Sequence, residues 1–224
     1  MTTSQFEVAG KRLDCQIKRK DVRHTYLKVK PDFQLEIILP RNKCINADRI
    51  LEKKRRWIEK KVEELSNTKK LFNDDHILYR GEYIRIKVLT AKKPREGVRL
   101  YKKVIFVYEN SNKDREQILA DFISDHTLAY VKRKAPELAS ELRVNYNCIS
   151  TKKMRKWGYC TRDGNLFFNC RLICLPQRLT DYIILHELLH RRYFNHSKQF
   201  KNALSKYFED RKQLEAMLKI YVTN

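Results

Sequence analysis

The sequence predicts an α+β chain in two parts. Residues 1–112 read as a mostly antiparallel β region with one packed helix, and 113–224 as a helical region with a β-hairpin beside a histidine-rich helix. Three observations carry this. Apolar and polar residues alternate through much of 13–39 and 82–108, the period of a half-buried strand. The period lengthens to that of a helix at 46–65 and again after 112, where strands give way to helices. Lastly, Leu185-His186-Glu187-Leu188-Leu189-His190 lies in an apolar stretch downstream of Asp163-Gly164, a dipeptide suited to a tight hairpin turn.

Taken in order, Leu13–Ile17, Tyr26–Lys30 and Gln34–Leu39 read as strands, with a turn at Pro31-Asp32-Phe33. Asn46 is suited to cap a helix whose inward stripe is Ile50, Leu51, Trp57, Ile58, Val62 and Leu65. Residues 67–76 read as a polar connector. After the turn at Tyr79-Arg80-Gly81 comes a strand at Glu82–Val88, then a hairpin of Val98–Tyr101 and Val104–Tyr108 across Lys102-Lys103. Between them Lys92-Lys93-Pro94-Arg95-Glu96-Gly97 is a basic loop. A helix follows from Lys113 to Lys134; Pro136 is expected to break it and start a short helix over Glu137–Leu142. The hairpin around Asp163-Gly164 leads through Leu172–Pro176 into the His186 helix. Ser197 then caps the first of two closing helices, which break near Glu209-Asp210.

The chain has 224 residues, long enough for a real core in one large or two small domains. No apolar run approaches membrane-spanning length and the N-terminus does not read as a signal peptide, so a cytoplasmic protein with no membrane partner is expected. Six cysteines without C-x-x-C spacing read as free thiols. Lys plus Arg number 49 against 27 Asp plus Glu, a net +22 that attracts phosphates. That makes nucleic acid a candidate partner through the basic surface. The charges are dispersed, however, which equally fits ordinary solvated faces.

On a helix, His186 and His190 are four residues apart and project from one face, where two imidazoles can hold Zn²⁺ at about 2.0–2.1 Å. Glu187 flanks that face and can take a proton from a metal-activated water. The surrounding residues are apolar nearly all round, so this helix is buried, and a metal would give its polar groups a partner. The alternative is a core helix with two hydrogen-bonded histidines. Catalytic zinc usually takes three protein ligands. Arg191-Arg192-Tyr193 can finish the last turn, Asn195 can terminate it in the left-handed region, and His196 would swing back as third ligand. Otherwise His196 merely caps the next helix. Arg155, Tyr159, Arg191, Arg192 and Tyr193 are candidates to hold developing negative charge, and Asp181 is considered for orienting an imidazole.

These residues resemble the YgjP-like metal-dependent hydrolases, which are related to SprT-type zincins and often grouped with metallopeptidases. The likeness covers nearly the whole chain. It includes Leu39-Pro40, Trp57-Ile58, Trp157-Gly158-x-Cys160, Asn169, Pro176, Asp181-Tyr182, the His186–His190 motif, and Asn195-His196-Ser197 with Phe200. It implies a zincin-like C-terminal domain, zinc on His186, His190 and His196, and Glu187 as base. It also adds Trp157 and Asn169 to the substrate-side set. Tyr159 stands where the family usually has serine, and Lys201 where it usually has tryptophan. Some members are described as nucleoside triphosphate pyrophosphohydrolases acting on UTP. Three readings are open: a zinc metallopeptidase, placed first; a nucleotide pyrophosphohydrolase; and a basic nucleic-acid binder with a structural metal. The sequence leaves the oligomeric state open.

Overall fold

A computed structural model describes residues 2–8, 10–30, 33–66, 68–73, 75–90, 97–109 and 114–221. The fold is mixed α+β, with helices and three small sheets. It divides into two compact units, Met1–Thr68 and Lys69–Asn224.

In the first unit, β1 (Thr2–Val8), β2 (Lys11–Lys20), β3 (Tyr26–Val29) and β4 (Leu35–Pro40) form a sheet of order β1-β2-β4-β3. Its pairs are antiparallel except β2 with β4, which run parallel. The expected single helix is two, α1 (Ala47–Lys53) and α2 (Arg55–Ser66), parted at Lys54. Asn46 does cap α1, accepting from the Asp48 and Arg49 amides at 2.8 and 3.2 Å. Leu13, Cys15, Leu35, Ile37 and Leu39 from the sheet close over Leu51, Ile58 and Val62 from the helices as a core of their own.

The second unit begins with strands that sequence periodicity missed: β5 (Phe72–Asn73) and β6 (His76–Tyr79), in the supposed connector and just beyond it. With β7 (Glu82–Thr90), β8 (Gly97–Tyr101) and β9 (Val104–Glu109) they form a sheet of order β5-β6-β7-β9-β8. Lys102 and Lys103 turn the β8–β9 hairpin with φ of 44° and 61°, as a two-residue turn requires. The basic loop lies outside the described residues except for Gly97.

The division therefore falls at Thr68–Lys69 instead of near residue 112. The reason is that this sheet is tied to elements later in the chain. Arg80 and Gly81 donate backbone hydrogen bonds to the Ile173 and Cys174 carbonyls at 2.9 and 2.8 Å. Gly81 has φ +83°, and a Cβ there would come within 2.7 Å of Pro176, so glycine is required for both conformation and space. Ile84, Ile86, Ile105 and Val107 on the inner sheet face join one core with α3 (Arg115–Leu142) and the elements beyond it.

Contrary to expectation, α3 runs unbroken through Pro136. Ala135, Leu138, Ala139 and Leu142 continue the buried stripe begun by Tyr130 and Val131. That packing outweighs the lost backbone bond, which costs about 3 kcal/mol. After α3, β10 (Ile149–Lys152), β11 (Gly158–Cys160) and β12 (Leu166–Asn169) form a sheet of order β10-β12-β11, leaving β11 at an edge. A 3₁₀ turn (Leu172–Cys174) leads into α4 (Gln177–Leu189), and α5 (Lys198–Tyr207) and α6 (Arg211–Leu218) close the chain. No helix among the described residues is long and apolar enough to cross a membrane.

Candidate metal centre

Helix α4 is apolar on nearly every side because it is packed on nearly every side, by α3, β11, α5 and α6. Leu179, Tyr182, Ile183, Ile184, Leu185, Leu188 and Leu189 are all buried. Thr180 ties the helix start down, its hydroxyl donating to the Leu172 carbonyl at 3.1 Å. The end tightens: the His190, Arg191 and Arg192 amides each bond three residues back. Asn195 does not take positive φ. Its side chain instead accepts from the Ser197 amide at 3.2 Å, a local Asx turn that competes with the left-handed alternative. Ser197 caps α5 as expected, accepting from the Phe200 amide at 3.3 Å.

This return brings His196 over α4. His186 Nε2 lies 2.9 Å from His196 Nε2, and candidate ligand atoms of His186, His190 and His196 all lie within 4.8 Å of one another. Tetrahedral ligation at 2.0–2.1 Å sets nitrogens about 3.3 Å apart, so the cluster is of metal-binding size. His190 Nδ1 sits 2.9 Å from the Tyr193 carbonyl; donating there leaves its Nε2 lone pair free for a cation. All three rings pack around buried Phe200, with centroids 4.8–4.9 Å away. Burial and the two neighbouring imidazoles push His186 down to about 3, and His196 is lowered as well. Both shifts favour the neutral imidazole, the form that ligates metal. His186 Nδ1 is buried without a hydrogen-bond partner among the described residues. Three ring nitrogens crowded this closely fit a shared divalent cation, and an all-nitrogen set suits zinc.

Glu187 is only 5% exposed. Burial raises its carboxyl to about 8, against smaller opposing effects of the Lys156 charge and a hydrogen bond from the Cys160 amide. It lies directly on β11. A Cβ at Gly158 would sit 2.8 Å from Glu187 Cγ, so glycine is required for the approach. The Asn169 amide bonds the Trp157 carbonyl and the Thr161 amide bonds the Asn165 carbonyl, both at 2.9 Å. By antiparallel alternation Tyr159 also faces β12, and the backbone groups of Gly158 and Cys160 point outward from the edge. That edge borders a cleft of about 820 Å³ lined in part by Trp157, His186, Glu187, His190 and His196.

The expected substrate-side residues divide. Trp157 and Tyr159 line the cleft, though Tyr159 also stacks on Phe167, with centroids 4.8 Å apart. Arg155, Asn169, Arg191 and Tyr193 are absent from its lining. Asn169 is fully buried and organises the preceding loop, donating to the Met154 and Lys156 carbonyls and accepting from the Arg171 amide. Arg191 donates to the Asn145 and Arg162 carbonyls, both at 2.9 Å, with its guanidinium against Gly164. Arg192 donates to the Leu142 carbonyl. A guanidinium after a helix end finds backbone carbonyls nearby, and sequence does not reveal which. Asp181 accepts from Tyr130 at 2.7 Å; the group found beside an imidazole is instead the Tyr193 carbonyl.

Sequence reasoning missed the cleft cations Lys156 and Arg162, and Phe194, 73% exposed at the cleft. It also misplaced the hairpin turn. Thr161 pairs with Asn165, leaving three residues between, and Gly164 alone takes positive φ, +92°.

A model of the family described as YgjP-like, metallopeptidase domain, matches residues 23–221. Among solved structures, the metallopeptidase zymogen of Methanocaldococcus jannaschii jannalysin is similar at 26% identity. The match covers 39% of this chain and 86% of that one, with a TM-score of 0.36. No curated protein matches.

Proposed function

The chain belongs to the YgjP-like metallopeptidase-domain family, and on that premise we propose that it is a zinc-dependent hydrolase of extended peptide. The observation that carries this is the meeting of three elements: a three-imidazole cluster, a buried Glu187 and the free edge of β11.

His186, His190 and His196 would hold the zinc. When bound, it supplies Lewis acidity, a water acidified to near pH 7, and a positive charge that returns Glu187 to its ionised form. Glu187 takes the proton of the attacking water on its carboxylate and passes it to the departing amine. The Gly158 amide and carbonyl and the Cys160 carbonyl offer an extended chain a strand to pair with. That pairing holds the scissile bond along the imidazole cluster. Lys156 and Arg162 add positive charge to the cleft, favouring negative charge that develops during attack.

Those same two cations support a second reading, hydrolysis of a nucleoside triphosphate such as UTP. Incubating zinc-loaded protein with casein and, separately, with UTP distinguishes the two. Casein fragments absent in Glu187→Gln are expected. Pyrophosphate release that Glu187→Gln abolishes, with casein intact, would reverse the order.

A further inference from the structure

The sheet β5-β6-β7-β9-β8 buries one face throughout and both faces of β6, and over β7, β9 and β8 the described residues leave the second face exposed. Along β9, Ile105 and Val107 are buried while Val104, Phe106 and Tyr108 turn the other way. Along β7, Ile84 and Ile86 are buried, and Arg85, Lys87 and Leu89 alternate with them and are exposed. Strand register sets the outward residues in rows. Arg99, Phe106 and Lys87 are direct neighbours across three strands, as are Tyr101, Val104 and Arg85. Tyr108 lies beside Leu89.

The central ring of Phe106 is thus flanked by two cations, each one strand spacing away, about 4.8 Å. Tyr108 follows two residues on, roughly 7 Å along the strand. Tyr101 is 62% exposed. Arg85, Lys87 and Arg99 make no ion pair among the described residues, and the described residues of this face include no carboxylate. A shallow depression of about 480 Å³ lies among Leu89, Arg99, Tyr101, Phe106 and Tyr108.

Aromatic rings interleaved with cations on an exposed sheet face are what a single-stranded nucleic acid needs. Bases stack on the rings, and phosphates reach the flanking charges. A duplex keeps its base faces stacked on one another and offers only its charge. A protein ligand for this face would need carboxylates opposite three cations, and would leave the flat rings without planar partners. We propose that this face binds a single-stranded polynucleotide, at a site separate from the metal centre.

Fluorescence anisotropy tests this, using zinc-loaded full chain, labelled oligo-dT of twelve nucleotides and a duplex of equal length. Single strand should bind at least ten-fold more tightly than duplex. Phe106→Leu keeps apolar bulk and removes the stacking face; it and Tyr101→Ala should each weaken binding by about 5- to 100-fold. Each of Arg85→Gln, Lys87→Gln and Arg99→Gln should reduce the log–log salt slope by about 0.7, one phosphate contact apiece. Glu187→Gln should bind as wild type, which keeps this outcome separate from the hydrolase reading. Absence of binding at low salt, equal affinity for duplex, or loss only in the charge variants would overturn the proposal. Tyr101 is exposed enough that its replacement leaves the fold intact, so a null result there counts against stacking.

Discussion

Replacing Glu187 with glutamine separates two roles of one side chain. The carboxyl titrates at about 8 in the metal-free molecule, against an ordinary 4.5. A raised carboxyl means that the unfolded chain releases its proton first. Its contribution to stability is therefore full below pH 4.5 and falls as pH rises toward 8. The buried His186, lowered to about 3, works in the opposite sense and loses stability only below about pH 6.5. The window from 6.5 to 8 isolates Glu187. At about 1.4 kcal/mol per pH unit, wild type should lose about 2 kcal/mol across it. Glutamine has the same shape and no titration, so Glu187→Gln should lose none of this. Thermal unfolding of chelator-treated proteins at pH 6.5 and 8 reads the difference as about 4–8 °C in relative Tm. Adding zinc should abolish the wild-type slope, because a cation beside the carboxyl keeps it ionised. The variant should retain zinc yet lose turnover by ~10²-fold or more. Parallel pH profiles for the two metal-free proteins would refute the burial argument, and unchanged turnover would refute the base assignment.

Metal analysis should find one zinc per chain in wild type and none in His186→Ala/His190→Ala; stoichiometric zinc in the double variant would remove the imidazole cluster from the site. Gly158→Ala places a methyl 2.8 Å from Glu187 Cγ, so it should reduce kcat at least ten-fold with zinc content and circular dichroism unchanged. Wild-type kcat would mean that Glu187 has room to move. A fragment beginning at Lys69 should fold and bind zinc, whereas one beginning at residue 113 should not, since it lacks the Arg80-Gly81 turn that the Ile173 and Cys174 carbonyls require. Cooperative unfolding of the shorter fragment would restore the boundary to residue 112.

What was legible in the sequence is what a helix or a cap decides within a few residues. The spacing of His186 and His190, the Asn46 and Ser197 caps and the Lys102-Lys103 turn are all of this kind. What escaped depends on partners far along the chain. The β10 strand lies parallel to β12, and β6 is recognisable only once β7 pairs with it. Pro136 obeys core packing over its local preference. Arg191 and Asn169 are polar residues near the site, and composition alone cannot tell a side chain that binds substrate from one that binds backbone.

Arg191 bears on what the cleft can admit. One guanidinium grips the Asn145 and Arg162 carbonyls and rests on Gly164, just past the end of α4. The loop carrying the β11–β12 turn is thereby riveted to the helix that carries the histidines, and the β11 edge is held in place beside Glu187. Under the hydrolase reading that fixed edge selects by strand pairing: one stretched chain can lie along it, and a folded domain whose strands are already paired cannot.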